Sequence, residues 1–269
     1  MKDEVVTVKV DLGGAVVDLI NNSSLKFSVD CLAAVSMCWY EIDRGSKGQS
    51  LIDVSVGRSG HGLLIKNVVS LSFVVDELET KEVENLTVTL RGLPDNSSHE
   101  ENKKIIYALI SDLKAAGWQK YYFPSDPRIS SLELKKFNWS DNVFGATPLS
   151  HPLFDVNHEM SLSDWLANRF FYDWYMYSGD YIAHVAVQRR NTPSDPTRAG
   201  IYLISVKFMS FDGFWRTDFD EAVRPKWKQL FLSHLQQLID RRFKVEARAR
   251  AAGVSIDETY NPPSMERAE

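Results

Sequence analysis

The sequence predicts an α+β fold built as two similar lobes, each an antiparallel sheet packed by a C-terminal amphipathic helix. Three observations carry this. Strand-like segments follow one another without helices between them. Each run of strands then ends in one helical stripe. Short patterns from residues 1–135 return in the same order in residues 136–269.

The first half opens on Val5-Val6-Thr7-Val8-Lys9-Val10, a β-rich run. Leu51–Val56, Leu63–Val75 and Val83–Leu90 are the next strands. Gly57-Arg58-Ser59-Gly60-His61 between two of them reads as a hairpin turn. Ile105, Ile106, Leu109, Ile110 and Leu113 then share one helical face. Pro94 to Ser98 offers caps, Glu100 and Glu101 suit the first turn, and Gly117 suits the stop. Pro124-Ser125-Asp126-Pro127-Arg128 is a turn that begins the connection between halves.

The second half repeats the plan. Tyr181–Val187 and Ile201–Phe211 are strands. Trp227, Leu230, Phe231, His234, Leu235, Leu238, Ile239 and Phe243 form a longer helical stripe, with Pro225 near its start and Gly253 at its end. From about residue 260 the polar, two-proline tail predicts a loose end. The Trp39-Tyr40 and Trp174-Tyr175 pairs lie 135 residues apart, Asp53–Arg58 and His184–Arg189 131 apart, and Ser72-Phe73 and Ser210-Phe211 138 apart. Their common order predicts an internal duplication, with lobes at 1–135 and 136–269.

Composition bounds the partners. Of 269 residues, 44% are hydrophobic and 25% charged, ordinary for a globular chain. A net charge of −5 gives no general attraction to nucleic acid, and no apolar run is long enough to span a bilayer. The charged start Met1-Lys2-Asp3-Glu4 shows no secretion signal. Cys31 and Cys38 are seven apart. On one strand they would face opposite sides, and on one helix they would be too far apart, so they read as free, buried thiols.

No catalytic pattern emerges. Gly57 to His61 lacks the final glycine and the following helix of a nucleophile elbow. His99-Glu100 and His158-Glu159 lack a second histidine at zinc spacing, so neither a metal nor a cofactor is expected. His184 and His234 read as hydrogen-bonded structural histidines, and Asp218, Asp220 and Glu221 as acids at a helix N-terminus. Eight lysines and arginines between Arg224 and Ala252, against Asp240 and Glu246, read as a solvated helix face. Two segments stand out for protein binding instead. Asp76, Glu77, Glu79, Glu82 and Glu84 make an acidic connection between strands, and Trp118, Tyr121, Tyr122 and Phe123 an aromatic cluster.

Leu90-Arg-Gly-Leu-Pro-Asp-Asn-Ser-Ser98 leads into the first helix, and Ala116-Gly-Trp118-Gln-Lys-Tyr-Tyr-Phe-Pro124-Ser-Asp-Pro-Arg-Ile129 follows it. Together with Val8-Lys-Val-Asp-Leu-Gly-Gly14, this pattern resembles the immunity proteins that neutralise type VI secretion lipase (phospholipase) effectors. The resemblance covers mainly residues 8–129. It implies a non-catalytic protein that binds a cognate lipase and blocks its active-site entrance or holds its lid shut. It also implies a periplasmic location, reached through a leader or lipid anchor that this chain does not display; the cytoplasm is the alternative. The competing functional readings are a non-inhibitory adaptor or chaperone for a secreted effector, and a hydrolase with an unrecognised site. The sequence-based choice for the docking residues is Asp76, Glu77, Glu79 and Glu82 with Trp118, Tyr121, Tyr122 and Phe123.

Overall fold

The computed structural model describes residues 5–32, 34, 36–46, 49–58, 61–136, 148–168 and 171–267. Its strands are β1 (Thr7–Asp11), β2 (Ser28–Leu32), β3 (Met37–Asp43), β4 (Ile52–Arg58), β5 (His61–Asp76), β6 (Asn85–Leu90), β7 (Gln119–Lys120), β8 (Phe171–Ser178), β9 (Tyr181–Asn191) and β10 (Gly200–Ser210). The α-helices are α1 (Val16–Asn22), α2 (His99–Ala115), α3 (Leu162–Ala167), α4 (Phe211–Arg216) and α5 (Trp227–Ala251). The α+β class follows directly, and no helix among the described residues is long and apolar enough to cross a membrane.

All the strands join one sheet, in the order β1-β4-β5-β6-β10-β9-β8-β7, with β3 on the far half of β5 and β2 on β3. The sequence suggests a sheet for each half; the structure joins the halves in one. β6 and β10 run antiparallel from Ile204↔Leu90 to Met209↔Asn85. Each flanks a three-stranded antiparallel meander, β4-β5-β6 on one side and β8-β9-β10 on the other. The matched Trp-Tyr pairs fall on β3 and β8, which are not equivalent places in that order.

Strand alternation decides what is buried. Val54 and Val56 of β4, Leu63, Ile65, Leu71 and Phe73 of β5, Leu86 and Val88 of β6, and Ile204, Val206 and Phe208 of β10 belong to one apolar cluster. α2 lays Ile106, Leu109, Ile110 and Leu113 on it, beside Trp165 of α3 and Trp174 of β8. The core therefore draws on both halves of the chain. At each core position, burial of a large aliphatic side chain contributes about 1.5–3 kcal/mol. α2 begins at a capping box in which Ser98 and Glu101 satisfy each other's backbone amides, and ends before Gly117 at φ 87°.

A second apolar cluster lies on the other side of β8, because Tyr175 and Tyr177 alternate with Trp174 and Met176. Phe211 and Trp215 of α4 and Trp227, Phe231, Leu235 and Leu238 of α5 fill it. The tail corrects the expected loose end. Tyr260 packs edge-on to Tyr122, Pro263 is buried, and Glu266 sits among Tyr121 and Trp215 at 4% exposure.

Candidate interaction surface

The acidic connection is a rigid turn. Asp76 ends β5, and its carbonyl accepts from the amides of Glu79 and Thr80 while its carboxylate accepts from the Leu78 amide. The Glu77 amide donates to the Ser36 carbonyl at 2.9 Å, which ties the turn to the tip of the β2–β3 hairpin. On the other side, residues 13–16 form a ladder with it: Gly13 donates to Val83, Val83 to Gly14, and Val16 to Lys81. Arg216 of α4 reaches Glu79 at 3.5 Å and Glu84 at 3.0 Å. Glu77 and Glu82 are exposed and have no ion pair among the described residues. Between the acids, Leu78 is 81% exposed. A fixed turn loses little conformational freedom on binding, which makes it suited to docking.

Beside this turn stands a feature that the sequence reading missed. Cys31 and Cys38 are not free thiols; they form a disulfide, directly opposite each other on β2 and β3. The single-strand and single-helix geometries do not apply because the chain reverses between the two cysteines. Across the hairpin, Asp30 stands opposite Trp39, which in turn stands opposite Val74 of β5. Leu32, Met37 and Asp76 form the next row and Ser28, Glu41 and Ser72 the one before, all on the same outward face. Trp39 is 38% exposed and Leu32 54%. The result is an outward face on which Leu32, Met37 and Trp39 stand with Asp30, Glu41 and Asp76. An exposed tryptophan ringed by acids has the chemistry of an interface anchor with a basic partner.

The expected aromatic docking cluster is interior. Trp118 packs on Phe208 at 5.2 Å between ring centroids, and Tyr121 and Phe123 belong to the second core cluster. Tyr122 is 1% exposed. Trp118 thus lies in the first core cluster, and Tyr121, Tyr122 and Phe123 lie under α5 and the tail, so all four build the fold and are buried.

The basic face of α5 is likewise partly interior. Arg242 is buried and donates to the carbonyls of Tyr122, Phe123 and Asp126. Glu246 is buried against Arg128. Burial pushes the Glu246 carboxyl up, but hydrogen bonds from Arg128 outweigh this and hold it below its ordinary value. Asp126 accepts from both the amide and hydroxyl of Ser150, and Asp155 pairs with Lys120 at 3.0 Å. These buried charges fix the 122–130 segment and are structural.

The remaining titratable groups among the described residues form local pairs. His184 bonds Asp173 at 2.8 Å and stacks on Tyr175. His234 bonds Asp218 at 2.5 Å. Neither histidine is hydrogen-bonded to a serine, threonine or cysteine among the described residues. His99 is held between Tyr202 and the Pro196 carbonyl. No group of three or more metal-ligating side chains occurs among the described residues. A cavity of about 970 Å³ lies beside β8, lined by Leu149, Leu153, Phe154, Phe171 and Tyr175 with His151, Asp164 and Asp173. His151 is kept neutral there, its pKa lowered by burial to about 4. β4 and β5 meet at Arg58↔His61, as the expected hairpin; Ser59 and Gly60 lie outside the described residues.

Comparison of the chain with protein-family models, with curated proteins and with solved structures finds no match to any of them.

Proposed function

We propose that this chain is an immunity protein that binds and inhibits a cognate antibacterial lipase effector, covering its active-site entrance or holding its lid shut. One observation carries the reading: the acidic turn is tied to the disulfide-stapled hairpin through Glu77 and Ser36, and the outward face of that hairpin carries the exposed Trp39 among Asp30, Glu41 and Asp76. Such a patch suits recognition of a basic protein surface. Charge complementarity speeds encounter, and one aromatic anchor can supply 2 kcal/mol or more of the binding energy.

The disulfide supports a periplasmic location, since such bonds form and persist in oxidising compartments. The sequence resemblance points the same way. The duplicated two-lobe plan enters here only as an evolutionary proposal, supported by the mirrored strand order on either side of the β6–β10 pair.

Mixing tests the proposal. The purified chain and a cognate phospholipase effector should co-elute, and lipid hydrolysis should fall in proportion to the chain added. A complex that forms while hydrolysis continues at full rate would assign the chain to the adaptor class. Hydrolysis of ester substrates by the chain alone would assign it to the enzyme class.

A further inference from the structure

We propose that the outer edge of β2 receives an extended segment of the partner as an added antiparallel strand, with basic side chains on one face of that segment and apolar ones on the other. The partner's identity rests on the function proposed above; the edge geometry does not.

Among the described strands, β2 bonds only to β3. All of its residues are exposed, including Val29 at 53%. The disulfide defines which backbone groups are open. The Cα atoms of Cys31 and Cys38 are 4.1 Å apart. That spacing belongs to the non-hydrogen-bonded type of antiparallel pair, whose N–H and C=O groups point away from the partner strand. Val29 is in phase with Cys31 along β2. Both residues therefore present a donor and an acceptor to the open edge, and none of these groups has a backbone partner among the described residues.

Edge strands are normally protected by lysine, proline, bulges or shortness. The two ends of the strand order follow that rule. β1 carries Lys9 and lies under α1, and β7 is two residues long. Ser28-Val-Asp-Cys-Leu32 carries neither lysine nor proline, its one charge is Asp30, and the disulfide holds it in register and extended. A stapled edge guarded only by an acid suits strand addition by a basic segment, in which main-chain bonds give affinity and alternate side chains give specificity.

The side chains select the occupant. An added strand places one set of side chains beside Ser28, Asp30 and Leu32, along the acidic, Trp39-bearing face. A lysine or arginine opposite Asp30 makes a favourable cross-strand pair. The other set meets Val29, next to Tyr40, which is stacked on Phe73; this side favours β-branched residues. A second copy of the chain fits poorly. Two-fold pairing of β2 centred on its middle residue sets Asp30 directly against Asp30, a repulsive arrangement.

The test uses the whole chain and a fluorescein-labelled peptide of four Lys-Val repeats, with four Glu-Val repeats as control. Binding is read by fluorescence anisotropy and by hydrogen exchange. The Lys-Val peptide should bind and slow exchange of the Val29 and Cys31 amides, and the Glu-Val peptide should do neither. Val29→Pro removes an outward donor without touching a β3 bond and should weaken binding at least tenfold. Asp30→Lys, a second variant that leaves the backbone alone, should reverse the preference between the two peptides. Peptide binding that leaves the Val29 and Cys31 amides unprotected, or that survives both substitutions unchanged, overturns strand addition. So does a dimer that buries those amides without peptide. The functional reading separates cleanly. Full lipase inhibition by Val29→Pro and Asp30→Lys chains overturns the edge proposal and keeps the immunity role. Peptide protection of β2 with no lipase inhibition by the unaltered chain does the reverse.

Discussion

Glu246, wholly buried on α5, accepts three hydrogen bonds from Arg128: from the backbone amide at 3.0 Å, from Nε at 2.8 Å and from Nη2 at 2.8 Å. One carboxylate thus closes the segment after β7 against a helix that starts about a hundred residues later. The pair is a bidentate fork, the strongest geometry available to arginine and a carboxylate.

Glu246→Ala removes one partner and leaves the Arg128 guanidinium and amide desolvated. The expected loss is about 3–5 kcal/mol of unfolding free energy, measured by urea titration. Glu246→Gln keeps the shape and should lose less. Because the carboxyl is held below its ordinary value, this contribution is present above about pH 4.5 and is lost as the pH falls through the lowered folded-state value. A loss below 1 kcal/mol for the alanine variant would show that the fork does not hold the segment.

Glu266 behaves oppositely. Burial drives its carboxyl up to about 7, and the hydrogen bond from Tyr121, the charge of Arg242 and the bond from Trp215 recover only part of that shift. The folded chain therefore holds a proton that the unfolded chain releases near pH 4.5. Stability contributed by Glu266 is present below pH 4.5 and falls as the pH rises to about 7, by on the order of 1.4 kcal/mol per pH unit. His151, kept neutral by burial, gives a slope of the other sign between about 4 and 6.5. The difference between the unaltered chain and Glu266→Gln isolates the effect. That difference should change with pH across 4.5–7; parallel pH profiles would contradict the buried, protonated carboxyl.

The hairpin carries its own prediction. Replacing Cys31 and Cys38 with serine frees a short loop in the unfolded chain and should lower stability by about 2–3 kcal/mol. Hydrogen exchange should quicken first at residues 28–43, because β2 has no other strand to hold it. Unchanged exchange in that stretch would mean that the strand ladder alone fixes the hairpin.

For the docking patch, Trp39→Ala should weaken association with the lipase by about thirtyfold, corresponding to an anchor of about 2 kcal/mol. Charge reversal at Glu77 and Glu82 should mainly slow association and flatten its dependence on salt. These residues are exposed, so unfolding free energy should stay within about 0.5 kcal/mol of the unaltered chain. Trp118→Ala, by contrast, should unfold the protein before it affects any interface, since Trp118 packs on Phe208 inside the core.

Local structure was legible where local chemistry dictates it. Alternation in Ile52–Val56 and Tyr202–Phe208, and the Ser98–Glu101 cap before an i, i+4 stripe, correspond to observed strands and an observed helix. What joins distant segments was not. The β6–β10 pairing unites residues more than 110 apart, and no periodicity in either strand encodes it. The reversal between Cys31 and Cys38 involves no glycine or proline, so the hairpin passed for a continuous segment and its disulfide was missed. Arg242 and Glu246 look like surface charges until their partners, Tyr122 to Arg128, fold against them. Tyr121 to Phe123 read as interface anchors because aromatic residues serve cores and interfaces alike; only the docking of α5 and the Tyr260–Glu266 tail buries them. The acidic turn was visible as composition, whereas its rigidity depends on Arg216 and on residues 13–16, both remote in sequence.

The most direct test of the central claim is a titration of the proposed phospholipase effector with this chain, following lipid hydrolysis and complex formation in the same samples. The account predicts loss of hydrolysis that saturates at a fixed stoichiometry, together with a stable complex that Trp39→Ala weakens. Full hydrolysis at excess chain, with the two proteins eluting separately, would contradict it.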